Sequence, residues 1–132
     1  MTAATSARDR GTISVVMVIM VVIVLAGGGL IVDGGRVMIA RRHASNIAEG
    51  AARAGVATAT PMSGFVPSTA RAAALQYAVR AGIDPSDVVI VVAPDHVSVT
   101  ITERRSTVFL ILGGRSTVTV RATGIARLAF SP

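Results

Sequence analysis

The chain has no cysteine, no lysine and no tryptophan, and aromatic residues make up only 3% of its 132 positions. Without cysteine there are no disulfides, no thiolate nucleophile and no thiolate-ligated zinc, and the redox compartment stays open. With so few aromatics the core must be assembled from Val, Ile, Leu and Ala. Such a core in a small domain is only marginally stable alone, so support from a long helix, an oligomer or a membrane is expected. The formal charge of +6 is carried by arginines scattered along the chain. Affinity for phosphates along nucleic acid needs a concentrated basic footprint and stacking partners, so the composition points away from that class of partner.

What the chain does have is one long apolar run. Ile13 to Val32 contains no charge and is bracketed by Arg8-Asp9-Arg10 and Asp33-Gly34-Gly35-Arg36. At about 1.5 Å of rise per helical residue the run matches a hydrocarbon core of roughly 30 Å. The expectation is a transmembrane helix over 12–33, preceded by a short cytoplasmic leader (1–11) with no fold of its own. Gly27-Gly28-Gly29 weakens the helix, and a kink or a close backbone contact is expected at that level. No GxxxG spacing falls inside the run, so a glycine-driven dimer is not indicated.

Beyond Asp33 a helical period continues: Val37, Ala40, Ala44, Ile47, Ala51 and Ala54 recur at three- and four-residue intervals among Arg36, Arg41, Arg42, Ser45, Glu49 and Arg53. This predicts an amphipathic stalk over 34–57. Its small-residue stripe (Ala40, Ala44, Ile47, Ala51, Ala54) is a candidate helix-packing interface, and Glu49 and Arg53 stand in the favourable order for an ion pair one turn apart. Thr58 to Pro67, with Pro61, Gly64 and Pro67, predicts a linker (58–67).

The remainder (68–132) reads as a small α+β domain. A helix is expected with Ser68 as its N-cap, Gly82 as its stop and Leu75, Ala78 and Val79 as its apolar side. Asp84-Pro85-Ser86-Asp87 predicts a turn. Val88 to Ala93 is a continuous β-branched run, expected to be a buried central strand. Pro94-Asp95 supplies a turn, Val97, Val99 and Ile101 alternate with Ser98, Thr100 and Thr102, and Val118, Val120 and Ala122 alternate with Thr117, Thr119, Arg121 and Thr123. The result is a small antiparallel sheet with one wet face, covered on the other by the long N-terminal helix. Val108, Phe109, Leu110, Ile111 and Leu112, closed by Gly113-Gly114, are too short to span a bilayer. They either complete the core as a strand or short helix, or form an exposed apolar segment that docks on a partner or dips into lipid headgroups.

Reactive chemistry is thin. His43 and His96 are expected at the surface and form no pair at metal-ligand spacing. Asp84 and Asp87 flank a turn, where carboxylates cap backbone amides rather than exchange protons with a substrate. There is no GxSxG elbow, and the glycine cluster lies in the apolar run rather than after a soluble strand. No catalytic, cofactor-binding or metal-binding residue is assigned, and the chain does not read as an enzyme. Asp33 is the charge of most interest: it marks the exit from the membrane and, if the helix continues, lies one turn from Arg36, close enough to pair.

The stretch Arg10 to Gly55 resembles the N-terminal segment of TadE/TadG-like proteins of the Flp (tight adherence) pilus assembly system. The pieces that carry the resemblance are Arg10-Gly11, then Val32-Asp33-Gly34-Gly35-Arg36, then Ala40-Arg41-Arg42, Ile47-Ala48-Glu49 and Ala51-Ala52-Arg53-Ala54-Gly55. The resemblance implies a single-pass protein of the bacterial plasma membrane with its C-terminal domain outside the cytoplasm. It would act as a minor pseudopilin or assembly factor beside other pilin-like or Tad secretion components, with a homo-oligomer as one arrangement, and its head would be pilin-like. Related prepilins are cut after a glycine preceding the apolar run, which Gly11 followed by Thr12 provides. They also carry a glutamate five residues on, where this chain has Val16, which cannot compensate the freed amine of a neighbouring subunit.

Two alternatives remain open on the residues alone. Arg36, Arg41, Arg42 and Arg53 outnumber Arg8 and Arg10 beside the membrane, so positive-inside counting favours a cytoplasmic head, against the resemblance. Val24-Leu25-Ala26 also offers small residues for a signal peptidase, which would release a secreted or surface-tethered binding domain.

Overall fold

The structure is a computed structural model and describes residues 4–60, 64–108, 110–114 and 116–129. Helix α1 spans Ala4–Val56, a length of about 80 Å at 1.5 Å per residue. It is helical from Ala4, earlier than the unfolded leader expected over 1–11, and it stays helical through Gly27–Gly29 and Gly34–Gly35. Anchor and stalk are therefore one element. From Ile13 to Leu25 its larger apolar side chains are all exposed, and its most apolar 18-residue window reaches a mean hydropathy of 3.0. Among the described residues it is the one helix long and apolar enough to cross a membrane.

After Val56 a turn leads to the bridge between Thr60 and Gly64, where Gly64 adopts φ 67°. Pro61, expected as a helix breaker in the linker, lies outside the described residues. Helix α2 spans Pro67–Arg80. Its N-cap is Val66, with no side-chain capping bond, rather than Ser68; Pro67 occupies the first turn, where a missing N–H is harmless and φ is already set. Gly82 ends the helix as expected. Its φ of 87° lets its N–H reach Val79 O (3.0 Å) while the Ile83 N–H reaches Ala78 O (3.1 Å), the paired bonds of a Schellman stop. Ala70, Ala74 and Ala78 are its buried side and Leu75 packs half-buried against the same core; of the expected apolar side Val79 alone is exposed.

Three antiparallel strands follow in the order β1-β2-β3: β1 Val88–Val92, β2 His96–Ser106 and β3 Thr117–Arg127. The Val88–Ala93 run is thus an edge strand, not a central one. Ile90 faces the core while Val89 and Val91 point outward, 57% and 55% exposed. β2 is central and buries Val97, Val99 and Ile101 completely.

Both helices lie on the same face of this sheet. The alanines Ala44, Ala48, Ala51 and Ala52 of α1 and Ala70, Ala74 and Ala78 of α2 meet the β-branched side chains of β1 and β2 in one cluster. Small residues on the helices and large ones on the strands let the layers approach closely. On β3 this goes furthest at Gly124, where an added Cβ would meet the backbone of Ala48 and Glu49, 2.6 Å from Glu49 Cα.

Candidate functional site at the base of the head

The inner face of β2 continues past Ile101 to Glu103, and the face of α1 toward the sheet runs from its alanines back through Ala40 to Asp33. Two buried carboxylates therefore enter the seam between helix and sheet at the end nearest the apolar run. Asp33 is 2% exposed and accepts hydrogen bonds from the backbone N–H of Val108 (3.1 Å, Oδ1) and of Leu110 (2.9 Å, Oδ2). The expected pairing with Arg36 is not what the helix makes of this residue. The carboxylate turns to a loop 75 residues further on, because the loop's amides need acceptors where the sheet no longer supplies them.

That loop joins β2 to β3. Thr107 is buried and its N–H donates to Ser116 O at 3.0 Å; Leu110–Gly113 form a 3-10 turn; and Gly114, at φ 82°, closes it by donating to Ile111 O at 3.0 Å. Of the apolar docking segment, Val108 is 47% exposed, Ile111 56% exposed and Leu110 half-buried. Phe109 and the side chain of Leu112 lie outside the described residues.

Ten residues further along α1, nearly three turns past Asp33, His43 Nδ1 stands 2.7 Å from Glu103 Oε1, and Arg105 donates to Glu103 Oε2 through Nη2 (2.7 Å) and Nε (3.2 Å). An ionised carboxylate can only accept, so the histidine donates from Nδ1. Glu103 is 7% exposed while both partners are half in solvent. The group reads as a structural clasp between α1 and β2 rather than an acid-base device. Neither Glu103 nor the tie between Asp33 and the loop was visible from spacing, because each joins residues far apart in sequence.

The other charges behave locally. Asp84 accepts from the N–H (2.8 Å) and Oγ (2.6 Å) of Ser86, and these bonds hold its carboxyl below the usual carboxylate range. Asp87 instead takes Arg104, at 3.0 and 3.3 Å. Asp95 is likewise lowered, chiefly by its hydrogen bond with His96. The expected pair of Glu49 with Arg53 is present at 3.5 Å. Among the described residues no three His, Asp or Glu side chains gather where they could share a metal ion.

The candidate packing stripe lies largely inside the head. Ala40, Ala44, Ile47 and Ala51 are buried within this chain, with Ala44, Ile47 and Ala51 against its own sheet and α2, and Ala54 is half-buried.

An apolar helix with bare flanks, running without a break into a small α+β head, defines a class: a head carried on a helix able to lodge in a membrane. Residues 11–59 match the family model described as putative Flp pilus-assembly TadE/G-like, so the resemblance first seen in Arg10 to Gly55 holds over the apolar run and the alanine face together. No curated protein and no solved structure matches the chain.

Proposed function

We propose that the protein is a membrane-anchored, non-enzymatic subunit of a Flp/Tad-type pilus or secretion system, serving as a minor pseudopilin or assembly factor with its head outside the cytoplasm. The observation that carries this reading is the coincidence of the family match over 11–59 with a helix whose apolar flank is uncovered along its first half. An exposed apolar surface of that length in water would aggregate; in a bilayer it is satisfied. Because the alanine face is occupied by the head, packing beside other pilin-like helices falls to Ile13–Val32. Contact between heads falls to the outward sheet face around Val89, Val91 and Ile125.

Fractionation with N-terminal sequencing of the mature chain tests the reading. A membrane-bound product starting at Met1 or Thr2 indicates an uncut anchor, and one starting at Thr12 indicates prepilin-type processing after Gly11. A soluble product starting at Gly27 overturns anchoring in favour of a secreted binding domain. Protease added to spheroplasts should digest the head; protection would place it in the cytoplasm, as the arginine count alone would have it.

A further inference from the structure

We propose that the β2–β3 loop is a second membrane contact: Val108 and Ile111 seat in the bilayer interface, and the groove between Arg36 and Arg105 takes an anionic lipid headgroup. This rests on the anchoring read above and adds to it a fixed posture of the head on the lipid surface.

The argument begins with depth. Asp33 follows directly on the apolar run, so in a spanning helix it lies at the edge of the hydrocarbon. The two amides bound by its carboxylate place Val108 and Leu110 at that same depth. Gly29, one turn earlier on the same face, is buried although Gly28 and Leu30 beside it are exposed, which puts cover over the helix inside the apolar run itself. The exposed apolar band of α1 ends in Leu30, Ile31 and Val32, and the loop tied to Asp33 adds the exposed apolar side chains of Val108 and Ile111.

Chemistry agrees with depth. A surface loop in water satisfies its amides with solvent and needs no buried carboxylate. At the hydrocarbon boundary each unsatisfied N–H is expensive, and a carboxylate that accepts two of them makes an apolar loop tolerable there. On the water side, Arg36 stands about 4.5 Å further along the helix axis, at the level of the lipid phosphates. It lines an open groove with Ile39, Ala40, Arg105 and Ser106. Arg36 makes no ion pair with a described carboxylate, and Arg105 keeps about half its side chain exposed while bound to Glu103. Two guanidinium groups flanking a groove at phosphate depth suit a phosphatidylglycerol-type headgroup.

The cysteine-free chain permits single labels in the full-length protein. An environment-sensitive fluorophore is placed at Ile111→Cys, at Ile19→Cys within the apolar run and at Ala57→Cys beyond the far end of α1, each in bilayers carrying nitroxide lipids. The expected result is a blue-shifted Ile111 probe quenched by nitroxides near the headgroup, with Ala57 unquenched and Ile19 quenched by deeper labels. An Ile111 probe as aqueous as Ala57, with Ile19 still quenched, overturns this proposal and leaves the anchor standing; an unquenched Ile19 removes both. For the headgroup, quenching of the Ile111 probe by headgroup-labelled phosphatidylglycerol should exceed that by labelled phosphatidylcholine. Arg36→Gln should reduce that preference by roughly two- to five-fold. No preference, or one unchanged by Arg36→Gln, overturns the assignment of the groove.

Discussion

Single residues hold this molecule together at points of very close approach and at one long-range tie. Gly124 lies against the backbone of Ala48 and Glu49, and Gly50 against the Tyr77 ring, yet the two glycines should respond differently to alanine. Backbone cannot yield, so Gly124→Ala should push α1 off the sheet and destabilise the head by about 1–3 kcal/mol or more. Tyr77 is 44% exposed and can swing aside, and the helix gains about 1 kcal/mol of propensity, so Gly50→Ala should stay near neutral. Thermal unfolding followed by circular dichroism in detergent separates the two. At Asp33, asparagine keeps one acceptor oxygen and replaces the other with a donor. Asp33→Asn should therefore leave one of the Val108 and Leu110 amides unmet, speed its hydrogen exchange and cost about 1–3 kcal/mol locally. The sequence marked Asp33 as a boundary charge but not as a ligand for amides 75 residues away, since nothing local encodes that partner. Asp84 titrates the opposite way from a buried acid. Its lowered pKa means that the Ser86 bonds stabilise the turn above the ordinary carboxylate pKa and are lost as pH falls through the lowered one. Ser86→Ala should raise the Asp84 midpoint in a carboxyl NMR titration.

At the scale of elements, the pattern along the chain revealed faces more reliably than neighbours. The alternations of β2 and β3 and the alanine period of α1 all emerge where expected, because burying one face of a strand or helix leaves a fixed period behind. What covers a face leaves no such mark in its period; the long helix is expected on the chain's own sheet only because the alternating strands have one apolar face to bury. Nor could Val88 to Val92 disclose its place at the edge: a run of valines serves a buried strand, but here the same composition also leaves Val89 and Val91 outward. A prediction belongs at this level. Ala44→Leu or Ala51→Leu adds three carbons to fully buried positions between layers that already touch, and each should destabilise the head by about 1–3 kcal/mol. Ala72→Leu on the open side of α2 should be nearly silent. Limited proteolysis would show the head of the first two variants digested sooner, while the apolar run stays in the membrane fraction. Loss of complex formation in those variants would then report an unfolded head rather than a damaged interface.

Across the whole molecule, one unbroken helix makes the posture of the head depend on the posture of the apolar run. The joint is Gly34–Gly35, immediately past Asp33, and an added Cβ at either residue meets nothing within 4 Å. Close packing among the described residues therefore does not require these glycines, and two readings of them differ in outcome. If the joint works as a straight rod, alanine at both positions removes flexibility that the folded helix does not use and adds up to about 2 kcal/mol of helix stability. If the joint must bend, the same change should impair recovery of partner complexes without harming the fold. The Asp33 tie to the loop favours the rod, because bending at 34–35 would strain a contact made on one side of the joint while the head is packed from Val37 onward on the other. The expected outcome for Gly34→Ala/Gly35→Ala is slower amide exchange across 30–38, unchanged membrane insertion and undiminished recovery of the complexes that the proposed function calls for. A stable, inserted double variant that no longer recovers its partners would show that the helix has to flex where it leaves the membrane.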